Sequence, residues 1–108
     1  MSNVFIVNQA GVLVTPGENI LEGTTRQRIL DLAKEWGMKV ELRPLRARDV
    51  YGAREVFFSN VTLESIPVVK VDEKVIGTGS PGFTAIRMGR ALKKQRLNFD
   101  DFEHARFS

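Results

Sequence analysis

Cysteine does not occur among the 108 residues, so no disulfide framework, thiolate metal site or cysteine nucleophile is available. A reducing, cytoplasmic home is the expectation that follows. Histidine occurs once, as His104, among charged residues near the end. A lone imidazole lacks the further ligands of a structural metal centre, so no metal is expected. No window approaches the run of about 18 apolar residues that spans a bilayer. Met1 to Val7 carries no basic stretch before its short apolar run, so neither an export signal nor a membrane partner is expected. An excess of one charge sign is small as well: 16 basic residues stand against 13 acidic ones, for a net charge of +3. Much of that excess lies late, in Arg87, Arg90, Lys93, Lys94 and Arg96, and its simplest reading is a solvated helix face with a basic tail. Nucleic acid is therefore not the expected partner, although an anion- or nucleic-acid-binding module stays open as an alternative.

What the chain does contain is ordinary globular usage, 43% apolar and 27% charged residues, which is enough to fold. Its length allows one domain, residues 1–108, with 97–108 as a terminal tail. Two apolar runs, Val4 to Val7 and Val12 to Val14, flank Asn8-Gln9-Ala10-Gly11 and predict a hairpin. Thr15-Pro16-Gly17-Glu18-Asn19 breaks the pattern into a loop. From Thr25 the residues Ile29, Leu32, Ala33 and Trp36 recur at helical spacing, and Gly37 follows where a left-handed residue ends a helix. Thr24 and Gln27 have the spacing of a capping box, which puts the helix start just after Gly23.

Met38 to Leu42 reads as a strand, the segment through Asp49 and Tyr51 as a short helix, and Glu55 to Phe58 as a strand closed by a turn at Ser59-Asn60. Ile66 to Val71 and Lys74 to Ile76 predict a second hairpin across Asp72-Glu73, with Glu73 where such a turn prefers glycine. A last helix follows Thr78 to Gly82, with Ser80 as cap and Pro81 in the first turn. Its residues Ala85, Met88 and Leu92 share one side, and Arg87, Arg90 and Lys94 another. This order gives an α+β fold, a mixed or antiparallel sheet with two main helices.

The most informative segment chemically is Leu21-Glu22-Gly23-Thr24-Thr25-Arg26. Free amides at a helix start, aligned with the helix dipole, attract anions, and Gly23 lets a phosphate approach the backbone. Ser59-Asn60-Val61-Thr62 adds hydroxyl, amide and backbone donors after a strand. On local chemistry alone the leading readings of the two segments are a plain cap and a plain turn. The six lysines, Lys34, Lys39, Lys70, Lys74, Lys93 and Lys94, fall where exposure is the simplest reading. None sits in the desolvated setting a Schiff-base lysine needs, so no catalytic residue is expected.

Taken in order, several segments resemble the C-terminal half of class IV (fold type IV) pyridoxal-phosphate enzymes: branched-chain aminotransferases, D-amino acid aminotransferases and aminodeoxychorismate lyases. The segments are Ser2-Asn3-Val4-Phe5, Gly11 to Pro16, Ile20 to Arg26, Glu55 to Asn60, Pro67-Val68 and Ile76 to Gly82. The resemblance implies the C-terminal domain of an amino-acid aminotransferase, or of a related lyase, with amino acid and 2-keto acid substrates and a homodimeric assembly. It further implies that Gly23, Thr24 and Thr25 help hold the phosphate of pyridoxal 5'-phosphate, that Leu21 packs on its ring, and that Asn60, Val61 and Thr62 complete the grip. Thr24 stands where the family has isoleucine, and Val61 lacks the usual hydroxyl. Family members carry the Schiff-base lysine, a glutamate for the pyridine nitrogen and a phosphate-binding arginine ahead of the Ser-Asn-Val-Phe segment. This sequence begins at Met1-Ser2-Asn3, so the chain taken alone is expected to be a truncated, inactive form with weak or absent cofactor binding.

Overall fold

The first hairpin forms where the apolar runs predict it. In the computed structural model, which describes residues 3–17, 24–60 and 64–94, β1 (Asn3–Val7) pairs antiparallel with β2 (Leu13–Thr15). The turn is local chemistry: the Asn8 side chain accepts from the Ala10 and Val12 amides, both at 3.0 Å, and Gly11 adopts φ 81°. Helix α1 (Thr24–Glu35) follows and stops as predicted. Gly37, at φ 77°, sends its amide to Lys34 O, while Met38 bonds to Ala33 O, the paired contacts of a Schellman ending. Thr24 is the first helical residue, which puts the start of α1 just after Gly23 as expected, while the capping box itself rests on the Thr24 side chain, outside the described residues. Gln27 donates forward to Asp31 at 2.9 Å.

After α1 the chain returns as β3 (Val40–Leu42), parallel to β2, with α1 as the crossover that a parallel pair requires. The short helix α2 (Ala47–Tyr51) leads into β4 (Glu55–Asn60), and β5 (Glu64–Val68) completes a mixed five-stranded sheet in the order β3-β2-β1-β4-β5. Ser59 and Asn60 are strand residues, not the predicted turn, because both stay in register, with Ser65 and Glu64. The run from Ile66 to Val71 also divides. Its first part is β5, where Pro67, which has no amide to donate, is tolerated on an edge strand. Its second part is β6 (Lys70–Val71), which pairs with β7 (Lys74–Val75) in a separate two-stranded hairpin. Asp72 and Glu73 both have positive φ there, 48° and 67°. Glu73 thus occupies a left-handed position at a cost of roughly 1 kcal/mol relative to glycine.

The last helix, α3, covers 83–94. It starts beyond the predicted Ser80 cap and Pro81, because its first free amides are satisfied from elsewhere: the Glu55 carboxylate accepts from Thr84 N and Ala85 N, each at 3.0 Å. Glycine at 82 is what admits that carboxylate, since a Cβ there would collide with it.

Helices α1 and α3 cover one face of the sheet. Phe5, Val7, Leu13 and Phe57 pack there against Ile29, Leu30, Leu32, Ala33, Ala85, Met88 and Leu92, and the Phe5 and Phe57 rings stack at 5.1 Å. Truncating a fully buried ring such as Phe57 would cost about 3–5 kcal/mol. The opposite face is thinner, with Ile6, Val14, Ala53, Val56 and Ile76 under Leu45, Val50, Val68 and Val71. Arg87, though on the charged side of α3, stacks on Trp36 at 3.9 Å.

Candidate functional site

Because β1 runs antiparallel to both β2 and β4, the start of β1 and the ends of β2 and β4 meet at one end of the sheet. Asn3, Thr15 and Ser59 all point from that end toward the α1 side, by the strand alternation that also places Phe5, Leu13 and Phe57 there. All three are buried, Thr15 and Ser59 completely. The chain leaves β2 toward the start of α1, and Arg26 in the first turn of α1 ties back by donating to Pro16 O at 3.0 Å. Thr25 and Arg26 are likewise buried, at 4% and 5% exposure. One end of the sheet therefore collects five buried polar side chains from three strands and one helix start.

Burying a polar group without a partner costs roughly 1–3 kcal/mol, so such groups are normally matched. Thr15 is, through its hydroxyl to Val4 O at 2.6 Å. Ser59 Oγ and Arg26 Nε are not: each is buried and, among the described residues, has no hydrogen-bond partner. The first turn of α1 contains no acidic residue to offset the helix dipole. A hydroxyl and a guanidinium nitrogen without acceptors among the described residues, beside a helix start, make this a donor-rich region suited to an oxyanion.

The sequence-derived candidates fall around this region in different ways. Thr25 lies within it, and Thr24 opens α1. Asn60 ends β4, half-buried, with its amide donating to Glu64 Oε1 at 3.4 Å. Leu21, Gly23, Val61 and Thr62 lie outside the described residues, as do the side chain of Thr24, the single histidine and the tail. Sequence reasoning missed Asn3, Thr15, Arg26 and Ser59 as a group. Two signals could have found part of it: Ser59 continues the inward alternation of Glu55 and Phe57, and Arg26 precedes Ile29, Leu30 and Ala33 on the apolar side of α1.

All six lysines are exposed. Lys70 pairs with Glu73 at 3.2 Å, and Lys74 lies 4.3 Å above the Tyr51 ring. Among the described residues no group of three or more His, Asp or Glu could hold a metal ion, and no helix is long and apolar enough to cross a membrane.

Comparison with known proteins is consistent across sequence and fold. A family profile described as amino-transferase class IV matches residues 1–71. A putative branched-chain-amino-acid aminotransferase of Methanocaldococcus jannaschii is 38% identical over 101 residues, which is 92% of this chain and 32% of the relative. A D-alanine aminotransferase of Bacillus licheniformis is 34% identical over 98 residues, 90% of this chain and 35% of the relative. Among solved structures, the branched-chain amino acid aminotransferase from Escherichia coli superposes with a TM-score of 0.76 at 39% identity, over 83% of this chain and 31% of that one. The chain spans about a third of the length of the curated relatives it matches.

Proposed function

Since the chain belongs to the amino-transferase class IV family, whose members depend on pyridoxal phosphate, we propose that it forms the phosphate-side wall of the cofactor site in an amino-acid aminotransferase. The observation that carries this reading is the donor-rich end of the sheet, where Ser59 Oγ and Arg26 Nε are buried without acceptors among the described residues, beside the start of α1. Those orphaned donors fit a phosphate monoester, which presents several strong acceptor oxygens.

In this reading the opening amides of α1, with Gly23, Thr24 and Thr25, hold the phosphate. Leu21 supports the ring, and Asn60, Val61 and Thr62 close the grip from the β4 side. Arg26 and Ser59 stand behind them, the first anchored to Pro16 O and adding positive charge, the second offering its free hydroxyl. Bound there, pyridoxal phosphate supplies the electron-withdrawing ring that lets an amino group pass between an amino acid and a 2-keto acid. The exposed lysines point away from covalent attachment in this part of the protein, so the chain grips and orients the cofactor without catalysing transfer by itself. A cytoplasmic homodimer is the assembly proposed for the whole protein.

The test is an amide-resolved NMR titration of the full chain with pyridoxal 5'-phosphate and, separately, with pyridoxal. The phosphorylated compound should shift the amides of Thr24 to Arg26 and Asn60 saturably, pyridoxal should not, and no transamination should accompany binding. Equal responses to the two compounds, or robust turnover by this chain, would overturn the reading.

A further inference from the structure

On the thinner side of the molecule, where β3 passes into α2, Arg43, Pro44, Arg46, Arg48 and Asp49 line a cleft of about 480 Å³. An adjoining hollow of about 350 Å³ shares Arg43, Arg48 and Asp49 and reaches Asn8, Gln9 and Gly52. Neither contains a residue of the α1 start. We infer that this cleft is a second binding site, for a small oxyanion (a phosphate group or a carboxylate) held between the guanidinium groups of Arg46 and Arg48.

The inference rests on which charges are already used. Arg43 is held on both sides, its Nε 3.3 Å from Glu41 Oε2 and its Nη1 3.4 Å from Asp49 Oδ2. Asp49 also accepts the Arg46 backbone amide at 2.8 Å, which fixes the start of α2. That amide, followed by Arg43, keeps the Asp49 carboxyl below its ordinary pKa, so it stays committed as an anion. Both nearby carboxylates are thereby engaged chiefly by Arg43 and the loop backbone, with Arg48 acting on Asp49 only through its charge. Arg46 and Arg48 remain exposed, and among the described residues their guanidinium groups enter no ion pair or hydrogen bond.

Three guanidinium groups against two carboxylates leave the cleft with a net charge of +1. Its wall is also fixed, by Arg43 N donating to Thr15 O at 3.1 Å and by the rigid Pro44. Arginines that only cover a solvated surface can diverge from one another; here they border one concavity, whose volume lies within the range usual for small-ligand sites, about 300–1,000 Å³. The planar guanidinium fork matches two oxygens of a phosphate or a carboxylate, which is why an oxyanion is the class named and chloride is not.

The test is an amide-resolved NMR titration of the full chain with sodium phosphate and with sodium succinate, at ionic strength matched with sodium chloride. Saturable shifts in the amides of residues 43–49 with either oxyanion support the site, and the one that binds identifies the source chemistry. The doubly substituted Arg46→Gln/Arg48→Gln chain should bind about tenfold or more weakly, with its unfolding temperature unchanged because both side chains are exposed. Arg90→Gln should leave binding as it was. Equal shifts with chloride, unchanged affinity in the double variant, or shifts confined to Thr24 to Arg26 and Asn60 would overturn the proposal. The last of these outcomes would leave the phosphate grip at α1 standing.

Discussion

Strand β4 carries a buried polar side chain near each end, and the two are treated in opposite ways. Glu55 uses both carboxylate oxygens to accept the first free amides of α3, and Gly82 makes the space. Ser59, four residues on and completely buried, has no partner for its hydroxyl among the described residues. Folding alone explains the first arrangement, since a buried carboxylate with two backbone donors locks a helix to a sheet. It does not explain the second, where a buried donor has no acceptor. The contrast separates an end of the sheet whose buried polar groups are matched from one where, among the described residues, two donors are not, the end that the proposed phosphate grip uses.

The strongest way to break that contrast is at the satisfied end. Replacing Glu55 by Ala leaves two amides of α3 buried and unpaired and should cost about 3 kcal/mol. For a domain of this size that lowers the unfolding temperature by roughly 15 °C, measurable by calorimetry. Gly82→Ala alone should also destabilise, because its Cβ meets the carboxylate, yet in the Glu55→Ala background it should cost little. If the two losses simply add, Glu55 and Gly82 are not coupled and the account of α3's start is wrong.

The unsatisfied end should respond with the opposite sign. Ser59→Ala removes a buried hydroxyl that gains nothing from folding, so stability should rise by about 1 kcal/mol or stay level. Affinity for pyridoxal 5'-phosphate, read from the same amides of α1, should fall. A loss of stability on the scale of Glu55→Ala would mean that Ser59 is a structural group after all, and the distinction between the two ends would collapse.

The elements legible in the sequence are those whose determinants are local. The first hairpin is set by Asn8 and Gly11 within its own turn, and the end of α1 by Gly37 at its own C-terminus. The start of α3 defeats a local reading because its capping group comes from Glu55, 29 residues earlier than Thr84, while Ser80 and Pro81 offer a plausible nearby substitute. The run from Ile66 to Val71 looks like one strand because apolar continuity does not reveal that Pro67 belongs to a sheet edge and Lys70 to another pairing. For the candidate site, the position of the α1 start is readable from Gly23 and Thr24. The orphaned donors are not, since whether Arg26 or Ser59 finds a partner depends on strands distant in sequence.

Between a satisfied and an unsatisfied buried group lies a third case, a satisfied group in water, and it supplies the smallest test. Tyr51 on α2 donates its hydroxyl to Asp72 Oδ2 at 2.8 Å in the turn between β6 and β7. That hydrogen bond, aided by some desolvation and by the Asp72 charge, raises the phenol's pKa in the folded chain above the usual value of about 10. The neutral phenol is the bonded form, so the stabilisation is fully present below about pH 10 and is lost as pH rises through the raised folded value. Urea unfolding of the parent and of Tyr51→Phe, compared at neutral pH and again above pH 10, should show their stability difference moving against the parent in alkali. A parent and a variant that decline in parallel would show that the Tyr51 to Asp72 bond is not formed in solution, and that α2 and the hairpin are held by Lys74 over the Tyr51 ring and by the packing of Val50 and Val71 on the shared apolar cluster.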